Sequence, residues 1–338
     1  MKKHTRMKKQ NLLFQVFMMA MATAMLVSCN VGSKSPETAE STEYQAEVEV
    51  GAQEDFQISL AQWSLHRTYF GGAIEDWQEF NRLLLTSPDE LLKGDMDPIN
   101  FPSVAAGYGI HTIELVNTFY FSKAGDQAYW NEFKKNCEAA GVNVGLIMCD
   151  ALGNLGDADP EARQAAVENH HPWVDVAQFL GAKTIRVNAA GEGTAEEVAA
   201  NAVDGLSKLG EYGASKGINI VVENHGGYSS DGKWLSGVME KVGMDNVGTL
   251  PDFGNFHEYD RYLGLSELMP YAKGVSAKSH EFDENGNEIH TDYLKAMKIV
   301  KESGFKGYVG IEYEGPELSE DEGIKATKAL LEKVFAEL

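Results

Sequence analysis

Four residues with chemically useful side chains recur at near-regular intervals in the C-terminal half of this 338-residue chain. They are Glu223 in Val-Val-Glu-Asn-His, Asp252 in Leu-Pro-Asp-Phe-Gly-Asn, His280 in Ala-Lys-Ser-His and Glu312 in Gly-Ile-Glu-Tyr. Each closes a short apolar run, and each lies roughly 30 residues from the next, about one strand-plus-helix unit. A lone acid at a strand end is usually solvated or caps the next helix, but residues at the ends of successive parallel strands can converge on one point. Three carboxylates and one imidazole form a mostly hard donor set for one divalent metal. Mn2+ is the expected ion, with Mg2+, Co2+ or Zn2+ as alternatives.

The elements that must position these residues are eight short apolar segments: Gln57–Gln62, Thr112–Leu115, Asn143–Met148, Thr184–Val187, Asn219–Val222, Val247–Pro251, Gly274–Ala277 and Gly307–Ile311. Most lack polar alternation, as expected of parallel strands buried on both faces. Helical patterns separate them. Asp159-Pro160 supplies an N-cap with Pro at the first helical position, and Thr194…Glu197 and Ser319…Glu322 match the capping box. Eight such units predict an α/β fold, a (β/α)8 TIM barrel over residues 56–338. A doubly wound open sheet would carry a Gly-rich fingerprint after its first strand, but Leu65-His66-Arg67 stands there. Thr68 to Asn100 is too long for a simple loop and reads as an insertion after strand 1, with a helix start at Ser87-Pro88. The first barrel helix is then expected near Phe101 to Tyr108.

Further pocket residues follow from the same logic. His225 and Lys278 lie two residues from Glu223 and His280, which on a strand returns them to the same face. His66, Glu114, Asp150 and Asn188 stand at the ends of strands 1 to 4. Trp63, Tyr69, Phe70, Phe119 and Tyr120 either stack on the face of a ligand or pack in the core. The Gly-rich loop from Gly226 to Trp234 is placed to close over a substrate. His170 and His171, in a helical stretch, read as helix surface.

The Glu–Asp–His–Glu order on strands 5 to 8 resembles the xylose-isomerase-like barrel superfamily, also described as the sugar phosphate isomerase/epimerase family. The resemblance covers about residues 56–336. It implies that Glu223, Asp252, His280 and Glu312 bind one divalent metal, and that Glu223 and Glu312 also act as the catalytic acid/base pair. A metal bridging a carbonyl and a neighbouring hydroxyl acidifies the C–H between them, and a carboxylate on each face can remove and return the proton. Two positions depart from the epimerase pattern. Asn255 stands where a His commonly follows the Asp ligand, and no Arg follows His280 closely. Asn255 is therefore a candidate substrate contact, with His257 as its potential substitute. The implied activity is a metal-dependent isomerase or epimerase acting on a non-phosphorylated sugar or ketosugar. The alternative is an eliminating lyase or dehydratase on a 3-keto-glycoside or inosose. A non-catalytic sugar-binding lipoprotein and an apurinic-type nuclease are remoter.

The N-terminus and the composition bear on location and partners. Lys2, Lys3, Arg6, Lys8 and Lys9 precede an apolar run, Leu12 to Val27, too short for a stable span, which ends in Leu26-Val27-Ser28-Cys29. This pattern resembles a lipobox, so residues 1–28 read as a lipoprotein signal peptide and Cys29 as the lipid-bearing residue. Residues 29–55, rich in Ser, Thr, Glu and Ala, read as a disordered acidic tether. The expected location is exported, anchored to a bacterial membrane on its periplasmic or cell-surface side. Cys137 and Cys149 read as buried free thiols, because two cysteines make no disulfide framework. Lys and Arg number 29 against 51 Asp and Glu, a net charge of −22, which argues against a nucleic-acid partner. A carbohydrate substrate is expected, and a homo-oligomer is open. Glu192, beside the Gly-rich stretch after strand 4, disfavours a phosphate there.

Overall fold

The computed structural model describes residues 55–338; the signal-peptide, Cys29 and tether readings otherwise lie outside the described residues. Eight strands are present: β1 Phe56–Ala61, β2 Thr112–Val116, β3 Asn143–Met148, β4 Thr184–Val187, β5 Asn219–Glu223, β6 Val247–Leu250, β7 Val275–Ser279 and β8 Gly307–Tyr313. They form one parallel sheet in the order β6-β5-β4-β3-β2-β1-β8-β7. The two outer strands of that order meet through bridges Thr249–Ala272 and Asp252–Ser276, which closes the barrel. At this seam Ser276 donates its N–H to Pro251 O at 2.9 Å, and Phe253 donates to Ser276 O at 3.0 Å.

The helices are α1 His66–Phe70, α2 Trp77–Thr86, α3 Phe101–Gly107, α4 Gln127–Ala140, α5 Pro160–Leu180, α6 Ala195–Lys216, α7 Gly232–Val242, α8 Arg261–Leu268, α9 Tyr293–Glu302 and α10 Glu320–Glu337. The Asp159 cap and both capping boxes form as expected, each giving the first helical turn partners for its free backbone donors. Apolar strand residues such as Ile185, Ile220, Val222 and Ile311 are fully buried, and form the core between sheet and helices.

The insertion differs from expectation in detail. Its α-helix lies earlier, at Trp77–Thr86, capped by the Asp76 carboxylate, which accepts from the N–H groups of Gln78 and Glu79. Ser87-Pro88 opens only a four-residue 3-10 turn. The physical reason is Pro88, which biases Ser87 away from helical geometry, so the preceding helix ends there. Another correction concerns His170. It is not on the helix surface but 2 % exposed, with Nδ1 2.7 Å from Ala166 O, and burial lowers its pKa to about 4. His171 does lie outward, stacked on Tyr212 at 3.7 Å. Cys137 and Cys149 are buried and free.

Candidate functional site

Strand alternation builds the site. In the β7–β8 register Ser276 pairs with Gly310 and Lys278 with Glu312, so these four share the inward face. Arg186 on β4 pairs with Val221 on β5, and Glu223 lies two residues further along that face. The result is a polar layer at the C-terminal end of the barrel. Glu223, Asp252 and Glu312 each bring a carboxylate oxygen to within 4.8 Å of the others, and all three are buried. His280 stands outside this group. It follows the last residue of β7, is partly exposed, and directs Nε2 toward Glu314 Oε2 at 3.8 Å.

Each acid of the triad is held by particular neighbours. Asn255 donates its side-chain amide to Glu223 Oε1 at 3.0 Å, and Arg186 Nε lies 2.9 Å from Glu223 Oε2. That approach is close but poorly aligned, so both Arg186 Nε and Glu223 Oε2 are buried without a hydrogen-bond partner. Asp252 Oδ1 accepts from the N–H groups of Gly254 and Asn255, both at 2.8 Å, and Oδ2 accepts from the Ser276 hydroxyl at 2.6 Å. Ser276 Oγ is also 3.1 Å from Glu312 Oε2. Lys278 Nζ bridges Glu312 Oε1 and Glu314 Oε1, each at 3.2 Å. Asn224 locks the backbone of Asp252 from both sides, donating to its carbonyl at 3.0 Å and accepting its N–H at 2.7 Å. Asn117 does the same for Asp150, at 2.9 Å in both directions.

The remaining predicted residues separate into those at the site and those apart from it. Glu114 is 4 % exposed, accepts from Ser59 at 2.6 Å, and sits over Gly310, where an added Cβ would come within 2.6 Å of its Oε1. Asp150 receives Arg186 at 2.6 Å and the Asn188 amide at 2.8 Å. His225 and Asn188 line a cavity of about 660 Å3 beneath the loops after β3, β4 and β5. The loop after Gly226 is folded as a 3-10 turn: the Ser229 and Ser230 hydroxyls accept from His225 and Gly226, and Tyr228 donates to Gly193 O at 2.9 Å. His66 lies beside Glu320 at 3.6 Å and stacks on half-buried Trp63 at 5.1 Å. Tyr69, Phe70, Phe119 and Tyr120 are buried in the core. His257 is exposed, in a turn with φ 48°, and no hydrogen bond joins it to the triad, so it does not compensate for Asn255.

Burial dominates the electrostatics. It raises the Glu223 and Asp252 carboxyls, and repulsion from Glu312 adds to this, while Arg186 and Lys278 respectively oppose it. Burial also raises Glu114, to about 7. At Asp150 burial works upward too, but Arg186 and His225 outweigh it and the pKa is lowered. Among the described residues, Glu114, Asp150, Glu223, Asp252, Glu312 and Glu314 share this region with two permanent cations, Arg186 and Lys278. Such an excess of buried negative charge must take up protons or a cation. The clustered oxygens of Glu223, Asp252 and Glu312 therefore fit a divalent ion.

Arg186, Ser276, Glu314 and the two asparagine locks were not foreseen. Three of them carried a readable signal: Arg186 lies two before Asn188, Ser276 two before Lys278 and Glu314 two after Glu312, all at same-face spacing.

Comparison with known proteins agrees with this architecture. The family described as xylose isomerase-like TIM barrel matches residues 102–334. None of the curated proteins matches the sequence. Among solved structures, a zinc-bound IOLI protein superposes with a TM-score of 0.61 at 14% identity, covering 83% of this chain and 98% of the other. D-psicose 3-epimerase crystallised in the presence of D-fructose gives 0.60 at 14% identity, covering 71% and 94%. The 3-keto-D-glucoside 4-epimerase YcjR from E. coli gives 0.58 at 13% identity, covering 71% and 97%. At these identities the likeness is one of fold.

Proposed function

The chain belongs to the xylose isomerase-like TIM barrel family, and from that premise we propose that it is a divalent-metal-dependent isomerase or epimerase that moves a proton next to the carbonyl of a non-phosphorylated sugar or ketosugar. The observation that carries this reading is the buried triad, with the oxygens of Glu223, Asp252 and Glu312 within 4.8 Å of one another. These residues would hold the ion, Mn2+ in the first instance, and the ion would polarise the carbonyl and acidify the adjacent C–H. The structural relatives named for sugar epimerisation support the substrate class.

The chain's own residues supply the proton chemistry. Glu223 and Glu312 come from strands that are not neighbours in the sheet, so they approach a substrate from different sides. One carboxylate takes the proton and the other returns it on the opposite face, or the same one returns it to the neighbouring carbon. Arg186 beside Glu223 and Lys278 beside Glu312 keep each carboxylate oriented. Asn188 and His225, on the rim of the adjoining cavity, are placed to meet sugar hydroxyls. Asn255 acts through Glu223, whose Oε1 it fixes.

The test is solvent exchange. The full chain, loaded with Mn2+, is incubated in D2O with ketoses and 3-keto-glycosides and followed by NMR. Metal-dependent deuterium uptake next to a carbonyl, absent from Glu312→Gln, is the expected result. Metal binding without exchange on any of these substrates would favour a binding role instead. A second reading, elimination from a 3-keto-glycoside, is favoured by the 660 Å3 cavity beside Asn188 and His225, which offers room for a leaving group. The product separates the two.

The N-terminal sequence supports export and attachment through Cys29. Loss of incorporated fatty acid in Cys29→Ala is the expected outcome, and unchanged labelling would overturn it.

A further inference from the structure

We infer that the cation site of this chain is built from oxygen alone, with Ser276 as the contribution of β7 and His280 not a ligand. This rests on the proposal that the triad holds a divalent ion and deepens it. The argument begins with register. On β7 the inward positions are Ser276 and Lys278, which pair with Gly310 and Glu312 on β8. Ser276 also forms the bridge to Asp252 that closes the barrel. It is therefore the β7 residue that touches both neighbouring acids, with Oγ 2.6 Å from Asp252 Oδ2 and 3.1 Å from Glu312 Oε2. A hydroxyl has one hydrogen, so it can donate to only one of these acids at a time. Its lone pairs remain available to a cation between them.

His280 is committed elsewhere. It lies beyond the strand end, and its imidazole faces Glu314, which Lys278 holds from the other side at 3.2 Å. His290 approaches the same ring at 6.3 Å. A second observation points into the triad rather than away from it. Glu223 is 1 % exposed, and its Oε2 has no hydrogen-bond partner. Arg186 Nε lies 2.9 Å from that oxygen without an aligned hydrogen bond, so the oxygen's lone pairs remain open to a positive ion.

The consequence is selectivity. Carboxylate and hydroxyl oxygens suit Mg2+ and Mn2+, whereas imidazole strengthens binding of Zn2+. Replacing Ser276 by His would restore a nitrogen donor on the inward face and move the preference toward Zn2+.

The experiment is metal binding by the full chain, apart from any turnover. Mn2+ is titrated with the free ion followed by EPR, and Zn2+ is used as competitor. Wild type should bind one Mn2+, and His280→Ala should bind it within about twofold. Ser276→Ala should weaken binding by about 10–100-fold, the range seen when a supporting hydrogen bond or donor is removed from a metal site. Ser276→His should shift the Zn2+-to-Mn2+ affinity ratio at least about tenfold toward Zn2+. Loss of binding in His280→Ala, an unchanged affinity in Ser276→Ala, or no Mn2+ binding by wild type would each overturn the assignment. His280 is partly exposed, so that variant decides the matter even where Ser276→His fails to fold. Metal-dependent solvent exchange by wild type alongside either of the first two results leaves the proposed reaction standing, whereas wild type that binds no Mn2+ counts against that reaction as well.

Discussion

Arg186 and Glu223 lie side by side on adjacent strands, Nε 2.9 Å from Oε2, with side chains only 4 % and 1 % exposed. Arg186 reaches Asp150 with another nitrogen, at 2.6 Å. One guanidinium thus serves two acids, and removing it would leave both beside one another without a counter-charge. Arg186→Met is expected to cost about 3–5 kcal/mol, the usual result of breaking a buried pair from one side. Adding Glu223→Gln should recover part of that loss. Urea unfolding of the two variants measures it, and equal stability of single and double variants would contradict the coupling.

Glu312→Gln keeps the shape of the side chain and its approach to Ser276, but removes a base. Exchange of substrate protons with solvent should fall by about 10²–10⁴-fold, the usual contribution of a general base. Circular dichroism should be unchanged. Retention of exchange would move the proton transfer to another residue.

Glu114 sets a pH dependence of stability. Burial pushes its carboxyl up to about 7, against the pull of Ser59, whereas an unfolded Glu titrates near about 4.3. The native state therefore holds the proton more tightly. The stability this contributes is complete below about pH 4.3 and is lost as pH rises through about 7. Wild type should lose stability relative to Glu114→Gln across that window. Denaturant midpoints measured every half pH unit report it, and parallel curves would contradict it.

Asn224 exchanges two hydrogen bonds with the Asp252 backbone, both buried. Asn224→Ala leaves a carbonyl and an N–H unsatisfied, at about 1–3 kcal/mol each. Stability and Mn2+ affinity should fall together. Thermal unfolding with and without Mn2+ distinguishes this from a purely structural loss, which would leave the metal-induced rise in Tm intact.

Much of this fold could be read from the residues, because parallel strands buried on both faces leave nearly continuous apolar runs. β3 and β4 begin and end where the sequence suggests, and β6 stops one residue early, before Pro251. Three of the four expected metal ligands converge: alternation fixes Glu223 and Glu312 as the last inward residues of their strands, and Asp252, two residues past β6, is held there by its bridge to Ser276. His280 is the exception. Its interval from Asp252 fits one unit and it shares the parity of Ser276 and Lys278, but β7 ends at Ser279, so His280 lies one residue past the strand and alternation no longer sets its direction. A one-residue difference in where a strand ends decides which side chain meets the site, and no local pattern records it. Asn224 and Asn117 were hidden for a different reason. Their partners are backbone atoms of a neighbouring strand, which carry no sequence label.

Gly310 beneath Glu114 has a consequence for how such chains can diverge. An added methyl at position 310 would come within 2.6 Å of Glu114 Oε1, so the two sites share one volume. Any descendant that gains a side chain at 310 must first shorten residue 114, and any that shortens 114 opens a void that position 310 is free to fill. Substitutions at these two places should appear as a pair, in a fixed order, even though 196 residues of sequence separate them.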